Sequence, residues 1–236
     1  MSAMKLLEGL KLIPGSKEGI CRVSFDDHMV KLDLTWDRYI RLNAAARVIN
    51  DLKDEKSTVL DIGGFEGALA LFLPSTHVEV IDPVTTGGDF ASVDIEDETF
   101  DIVSAIDVLE HIHPDQRDAF LLKLTRVARK IIILNYPSIQ SKEAQEAVLA
   151  ACDNQFVREH VEWPLPETGW VMGYLSALGF RCEAAEYGNI ALWAGQFVAS
   201  QLAGSNASEL NRYLIENHSD EPFSKPLYRM VVCMRN

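Results

Sequence analysis

The chain has 236 residues, with 22 lysines and arginines against 35 aspartates and glutamates, and 47% of its side chains are hydrophobic. This length and balance suit a globular fold with a core of its own and exclude a low-complexity chain. The net charge of −13 disfavours nucleic acid and anionic membrane surfaces as partners, and no apolar run reaches the roughly 18–20 residues of a membrane helix.

Residues 1–35 are the least regular part and read as an N-terminal extension, a hairpin with Asp26 and Asp27 at its turn. Lys5, Glu8 and Lys11 break the apolar character that a signal peptide needs, so none is expected. From residue 36 onward helical and strand patterns alternate. WDRYIRLNAAARVINDL (36–52) is a helix, STVLDI (57–62) a buried strand, EGALALFL (66–73) a helix stopped by Pro74, and HVEVID (77–82) a strand. FASVD (90–94) is a weak third strand and DIVSAID (101–107) a buried fourth. The connection at 83–89 is too short for a crossover helix, so that helix is expected to be absent and the third strand short or frayed.

PDQRDAFLLKLTRVAR (114–129) opens on a proline suited to a first helical turn, and KIIILNYP (130–137) is the fifth strand. Helices are expected at 141–157 and 166–178. Strands follow at 180–187 and 226–235, with an inserted helical cap at 188–225 between them. The alternation predicts an α/β fold, with 36–187 and 226–236 as the core. Cys21, Cys152, Cys182 and Cys233 form no CxxC pair, and the expectation is reduced thiols in a cytoplasmic protein.

The chemistry concentrates at VLDIGGFEGALA (59–70), where an acid and close glycines stand between a buried strand and a helix. Such a turn lets a ligand approach the backbone. Asp82 ends the next strand, the place from which an acid in a nucleotide-binding sheet takes two ribose hydroxyls.

Across residues 36–135 the sequence resembles the class I S-adenosylmethionine-dependent methyltransferases. The resemblance implies a Rossmann-like, doubly wound, seven-stranded, mostly parallel sheet with an antiparallel last strand. It implies that Asp61, Gly63, Gly64, Phe65 and Gly67 meet the methionine part of the cofactor, Phe65 standing where the family often has glycine. Asp82 matches the ribose-binding acid, Asp94 the acid that reads the adenine amino group with Ile95 beside it, and Asp107 and Val108 the segment lining the methionine end. The implied function is methyl transfer from S-adenosylmethionine to a small-molecule or carrier-linked acceptor by in-line displacement.

Two other readings stand beside it: a module that binds S-adenosylmethionine without catalysis, and a nicotinamide-dependent oxidoreductase. The oxidoreductase reading suffers from Glu66, a negative charge where a pyrophosphate would sit. On the acceptor side, Asp107, Glu110 and His111 fall at i, i+3 and i+4 and share a face if the segment is helical. Glu110 and His111 are the catalytic candidates, His111 as a general base. Both acids with His111 form a conceivable divalent-ion site, but no metal is assigned. His160 and Trp163 fit a packed loop or an acceptor wall, and Arg38 and Tyr39 an exposed arginine and a core tyrosine. The sequence carries no signal for an oligomeric state.

Overall fold

The computed structural model describes residues 6–236, so the first residues of the N-terminal extension, Lys5 among them, lie outside the described part. The extension is a hairpin as expected, but its turn is elsewhere. Strands β1 (Leu10–Pro14) and β2 (Ile20–Phe25) pair antiparallel across residues 15–19, and Asp26 and Asp27 follow β2 instead of turning it. Helix α1 (Trp36–Leu52) then leads into the sheet's central strands, β3 (Thr58–Ile62) and β4 (His77–Ile81). Helix 66–73 is reduced to a single 3-10 turn, Ala68–Phe72.

Strand β5 (Phe100–Ile106) is buried along its whole length, as a strand covered on both faces must be, and its side chains are correspondingly apolar apart from Asp101 and Ser104. Helix α2 (Arg117–Val127) and strand β6 (Ala128–Pro137) follow. The expected helix 141–157 is two helices, α3 (Lys142–Cys152) and α4 (Gln155–Glu162), parted where Asp153 takes a left-handed conformation with φ 43°. Next come α5 (Thr168–Ala177), β7 (Phe180–Asn189), α6 (Ile190–Ala203), α7 (Ala207–His218) and β8 (Pro226–Arg235).

Among the described residues the sheet has eight strands, in the order β1-β2-β4-β3-β5-β6-β8-β7. Six run in one sense, and β2 and β8 oppose them. The count differs from seven because residues 90–94 form no strand while the hairpin adds two. The cause is competition for an edge. β2 pairs with β4 through Ile20–Ile81, Cys21–Val80 and Arg22–Glu79, so no free edge remains for a third parallel strand. The hairpin turn also closes on the short crossover, where a Cβ on Gly88 would strike the Gly19 carbonyl. No helix forms at 83–89, and Phe90 and Ile95 enter the core beside α2 instead.

α6 and α7 share a core with α1, α3 and α4, in which Trp36, Ile40, Val148, Val157, Trp193 and Leu214 are buried. Of the cap's aromatic residues, Trp193 and Phe197 pack into this core, while Tyr213 and Phe223 are exposed. Cys182 and Cys233 stand directly opposite on β7 and β8 and are joined as a disulfide, which corrects the expectation of four thiols; Cys21 and Cys152 are free. No helix among the described residues is long and apolar enough to cross a membrane.

Candidate active site

In open parallel sheets, ligands sit beyond the carboxyl ends of the strands. Here that edge carries the turns after β3, β4 and β5, with the first turns of α1 above them. The turn after β3 is built from three left-handed residues, Gly63 (φ 65°), Phe65 (φ 53°) and Gly67 (φ 74°). Phe65 thus holds a conformation in which glycine is free of strain. The glycines permit close packing within the chain. A Cβ on Gly64 would overlap the Asp61 carboxylate, and one on Gly63 would meet Val108 Cγ2 at 2.7 Å, so the turns after β3 and β5 touch.

Asp61 is 1% exposed; its Oδ1 accepts the Ser104 hydroxyl at 2.9 Å and its Oδ2 has no partner. Burial pushes its pKa up to about 7, against the opposing pull of the Ser104 hydrogen bond and the Arg38 charge. Asp82 stands at the tip of β4, but its carboxylate is drawn into the loops. Oδ2 accepts the Phe65 N–H at 3.2 Å, and Oδ1 accepts those of Val84 and Thr85 at 2.8 and 3.1 Å. The Thr85 hydroxyl donates back to the Phe65 carbonyl. Each Asp82 oxygen retains acceptor capacity, since a carboxylate offers about four lone-pair sites.

Glu66 is buried and pairs with Arg38 Nη1 at 2.8 Å, leaving Oε2 without a partner. Arg38 is therefore no idle surface arginine: it reaches this turn from α1 and stands 6.0 Å from the Phe65 ring centroid. Tyr39 packs edge-on against Phe72, as a core tyrosine should.

Beyond β5, Asp107 has φ 63°, and the helical turn after it is only Leu109–His111, so Asp107 does not share a helical face with Glu110 and His111. Asp107 pairs with Arg41 at 3.2 Å, and Arg41 also meets Asp37 at 2.9 Å and the Tyr228 hydroxyl at 3.2 Å. Burial raises the Asp107 carboxyl, but Arg41, His160 and His111 outweigh it and hold its pKa below the usual value. Burial and the nearby Asp107 charge push Glu110 well above the carboxylate range. Burial, then Tyr187's neighbour Asp107, likewise raises the Tyr187 phenol.

The two histidines meet here. His111 Nε2 lies 3.2 Å from His160 Nε2, and His160 sits on α4, not in a loop. Burial and His111 depress the His160 pKa to about 4. Trp163 lies edge-on to His113. Asp94 is exposed and shares a surface cleft with Lys123 and Arg126, while Ile95 is buried; among the described residues no hydrogen bond or ion pair joins Asp94 to Asp61, Asp82 or Asp107. Sequence reasoning missed Arg41, Gln145, Glu159 and Asn135. Asn135, read only as part of the fifth strand, is fully buried, accepts from the Tyr187 hydroxyl, and has an unpartnered side-chain nitrogen. Arg41 left one signal, its i, i+4 spacing from Asp37.

Residues 47–131 match the family model described as a methyltransferase domain. No curated protein matches the chain by sequence. Among solved structures, an S-adenosylmethionine-dependent methyltransferase from Archaeoglobus fulgidus is 13% identical over 82% of this chain and 93% of its own, with a TM-score of 0.51. The plantazolicin methyltransferase BpumL in complex with S-adenosylhomocysteine is 10% identical over 85% of this chain and 84% of its own, with a TM-score of 0.53. The same enzyme with a pentazolic desmethylPZN analog is 12% identical, covers 85% of each chain and also scores 0.53. At such identities the likeness is one of fold, here a mixed sheet with β8 antiparallel between β6 and β7. The family-model match thus places a methyltransferase domain over residues 47–131, and the solved S-adenosylmethionine-dependent methyltransferases share the fold around it.

Proposed function

We propose that the chain methylates a small-molecule or carrier-linked acceptor bound over the tip of β5, by in-line displacement. The observation that carries this reading is a set of buried carboxylate oxygens without partners: Asp61 Oδ2 at the end of β3, and Glu66 Oε2 and Asp107 Oδ1 in the turns that leave β3 and β5. Buried anions so left call for a cationic ligand. The methionine end of the cofactor, with its ammonium and sulfonium, has that charge. When bound, the cofactor supplies a methyl group on positively charged sulfur, which keeps both electrons of the breaking bond.

The chain's own residues then have these roles. Asp61, Gly63, Gly64 and Gly67 hold the methionine end, with Phe65 above them. Asp82 takes the ribose hydroxyls with the lone pairs left over from the loop N–H groups. Asp94 and Ile95 serve the adenine, and Asp107 and Val108 flank the sulfur. Glu110 and His111 act at the acceptor end. Holding the acceptor in line supplies about 7–11 kcal/mol of the barrier reduction.

Calorimetry with S-adenosylmethionine and with S-adenosylhomocysteine tests this. Both should bind the wild-type chain, and Asp82→Asn should weaken both by about 1.5–3 kcal/mol, the range for hydrogen bonds to a charged group. Absence of binding by either compound sinks the proposal. Equal affinities for wild type and variant remove Asp82 from it.

A further inference from the structure

One cluster at this edge is left unexplained by methyl transfer alone. We propose that Glu110, His111 and His160 bind a divalent transition-metal ion, with zinc the best fit, and leave one coordination position open toward the acceptor. One ligand atom from each of the three lies within 4.8 Å of the others. Glu110 and His111 come from the short turn after β5, and His160 from α4, which docks on that turn.

The hydrogen bonds around the two rings prepare them as ligands. His111 Nδ1 lies 2.6 Å from Glu159 Oε2, and His160 Nδ1 lies 3.3 Å from Gln145 Oε1. Both partners are acceptors, so in each neutral ring the proton sits on Nδ1 and the lone pair on Nε2. Carboxylate and amide oxygens behind metal-bound imidazoles do this ordinarily, fixing tautomer and ring orientation. The two Nε2 atoms then face each other at 3.2 Å as lone pair against lone pair, which repels unless a cation lies between. Two nitrogens bound to zinc at about 2.0–2.1 Å with a tetrahedral angle stand about 3.3 Å apart, so the rings need not move.

Glu110 supplies the independent observation. It is 1% exposed, and neither carboxyl oxygen has a hydrogen-bond partner. Oε1 is 4.0 Å from His160 Nε2, so a shift of under about 1 Å brings it to ligand distance. Arg117 donates to the backbone carbonyls of Glu110, Ile112 and Pro164, and Arg41 pairs with Asp37 and Asp107, so neither cation pairs with this carboxyl. Two imidazoles and one carboxylate form the donor set of catalytic zinc sites, which keep a fourth position for water or substrate. The Phe156 ring stands edge-on to that of His111, with 5.8 Å between the ring centroids.

That the open position faces a methyl acceptor rests on the function proposed above; the binding of the ion does not. The full chain, stripped with a chelator and dialysed, should take up one zinc ion per molecule on titration with a zinc salt, and magnesium should not compete. Cobalt(II) in its place should give the intense visible bands of a tetrahedral ion. His160→Asn and Glu110→Gln should abolish stoichiometric uptake. Glu159→Gln, which alters only a partly exposed outer residue, should lower affinity about 10–100-fold while the fold persists. No saturable uptake by the folded wild-type chain overturns the proposal, in favour of a metal-free hydrogen-bonded chain from Glu159 through both rings to a flipped Gln145. So does uptake that these variants leave unchanged. Cofactor calorimetry on the stripped protein separates the two readings: cofactor binding without zinc uptake removes the metal alone, and zinc uptake without cofactor binding removes the methyl-transfer reading alone.

Discussion

Two turns touch at the carboxyl edge of the sheet, and the chain satisfies them in opposite ways. After β3, the loop is closed by its own groups: Asp82 accepts three backbone N–H groups, the Thr85 hydroxyl ties down Phe65, and Arg38 covers Glu66. After β5, both oxygens of Glu110 stand unmatched and two imidazoles turn their Nε2 atoms toward each other. Both turns contain a left-handed non-glycine residue, Phe65 and Asp107. Strain is therefore common to the two, and polar satisfaction is what separates them. The first turn is closed by the chain and leaves one oxygen each of Asp61 and Glu66 unpaired, whereas the second leaves both oxygens of Glu110 and one of Asp107 to be met from outside.

In the second turn a buried cation from α1, Arg41, answers the Asp107 carboxylate, so the largest effect belongs there. Arg41 ties Asp107 to α1 and to Tyr228. Arg41→Met strands Asp107 and Asp37 without a counter-charge in a largely buried place. Urea unfolding should show a loss of about 3 kcal/mol, the lower end for a broken buried pair, because both side chains keep some solvent contact. A loss below about 1 kcal/mol would mean that the strand register, and not the ion pair, sets this turn.

The first turn should respond to pH through Asp61. Its folded pKa of about 7 lies above the ordinary 3.8, so between these values the folded chain holds a proton that the unfolded chain has released. Stability from this group is thus greatest in acid and falls as pH rises from about 4 to 7, by up to about 1.4 kcal/mol per pH unit. Asp61→Asn should remove that slope while keeping the Ser104 hydrogen bond. Ser104, Arg38 and Asp82 are the groups facing Asp61, and all remain in the variant. In the wild type, affinity for the cationic cofactor should rise through pH 7 as Asp61 ionises; in the variant it should be weaker and flat. Parallel pH profiles for the two proteins would detach Asp61 from both roles.

The same contrast explains which parts could be read in the sequence. The turn after β3 is one contiguous stretch whose shape follows from a strand, two flanking glycines and a helix start, and Gly63, Phe65 and Gly67 do hold the unusual conformations that the pattern requires. The acceptor end was half legible. Glu110 and His111 are adjacent in sequence, but His160 reaches them only because α4 docks on their turn, an event that local pattern does not record. A trace was present in Val157 and His160, spaced i, i+3 and both buried on α4. The strand at 90–94 failed for a related reason. Its pattern is weak but adequate, and whether it pairs depends on an edge that a distant hairpin had already filled.

Phe65 gives the smallest effect and the finest distinction. A non-glycine residue in the left-handed region costs about 1–2 kcal/mol, and glycine at the same place costs somewhat less than that in unfolded-state freedom. The Phe65 ring is half-exposed, and the Arg38 guanidinium above it is held by Glu66 in any case. Phe65→Gly should therefore raise stability by no more than about 1 kcal/mol, a shift of about 2–4 °C in Tm for a chain of this size. The Asp82 hydrogen bond to the backbone N–H at this position survives the change, so the loop should stay closed while its bulkiest side chain is gone. Cofactor affinity should then rise by calorimetry, because the ring is the one part of this turn that crowds a ligand without answering any of its charges. A fall in both stability and affinity would show instead that the aromatic ring holds Arg38 on Glu66, making the departure from glycine a structural member of the turn.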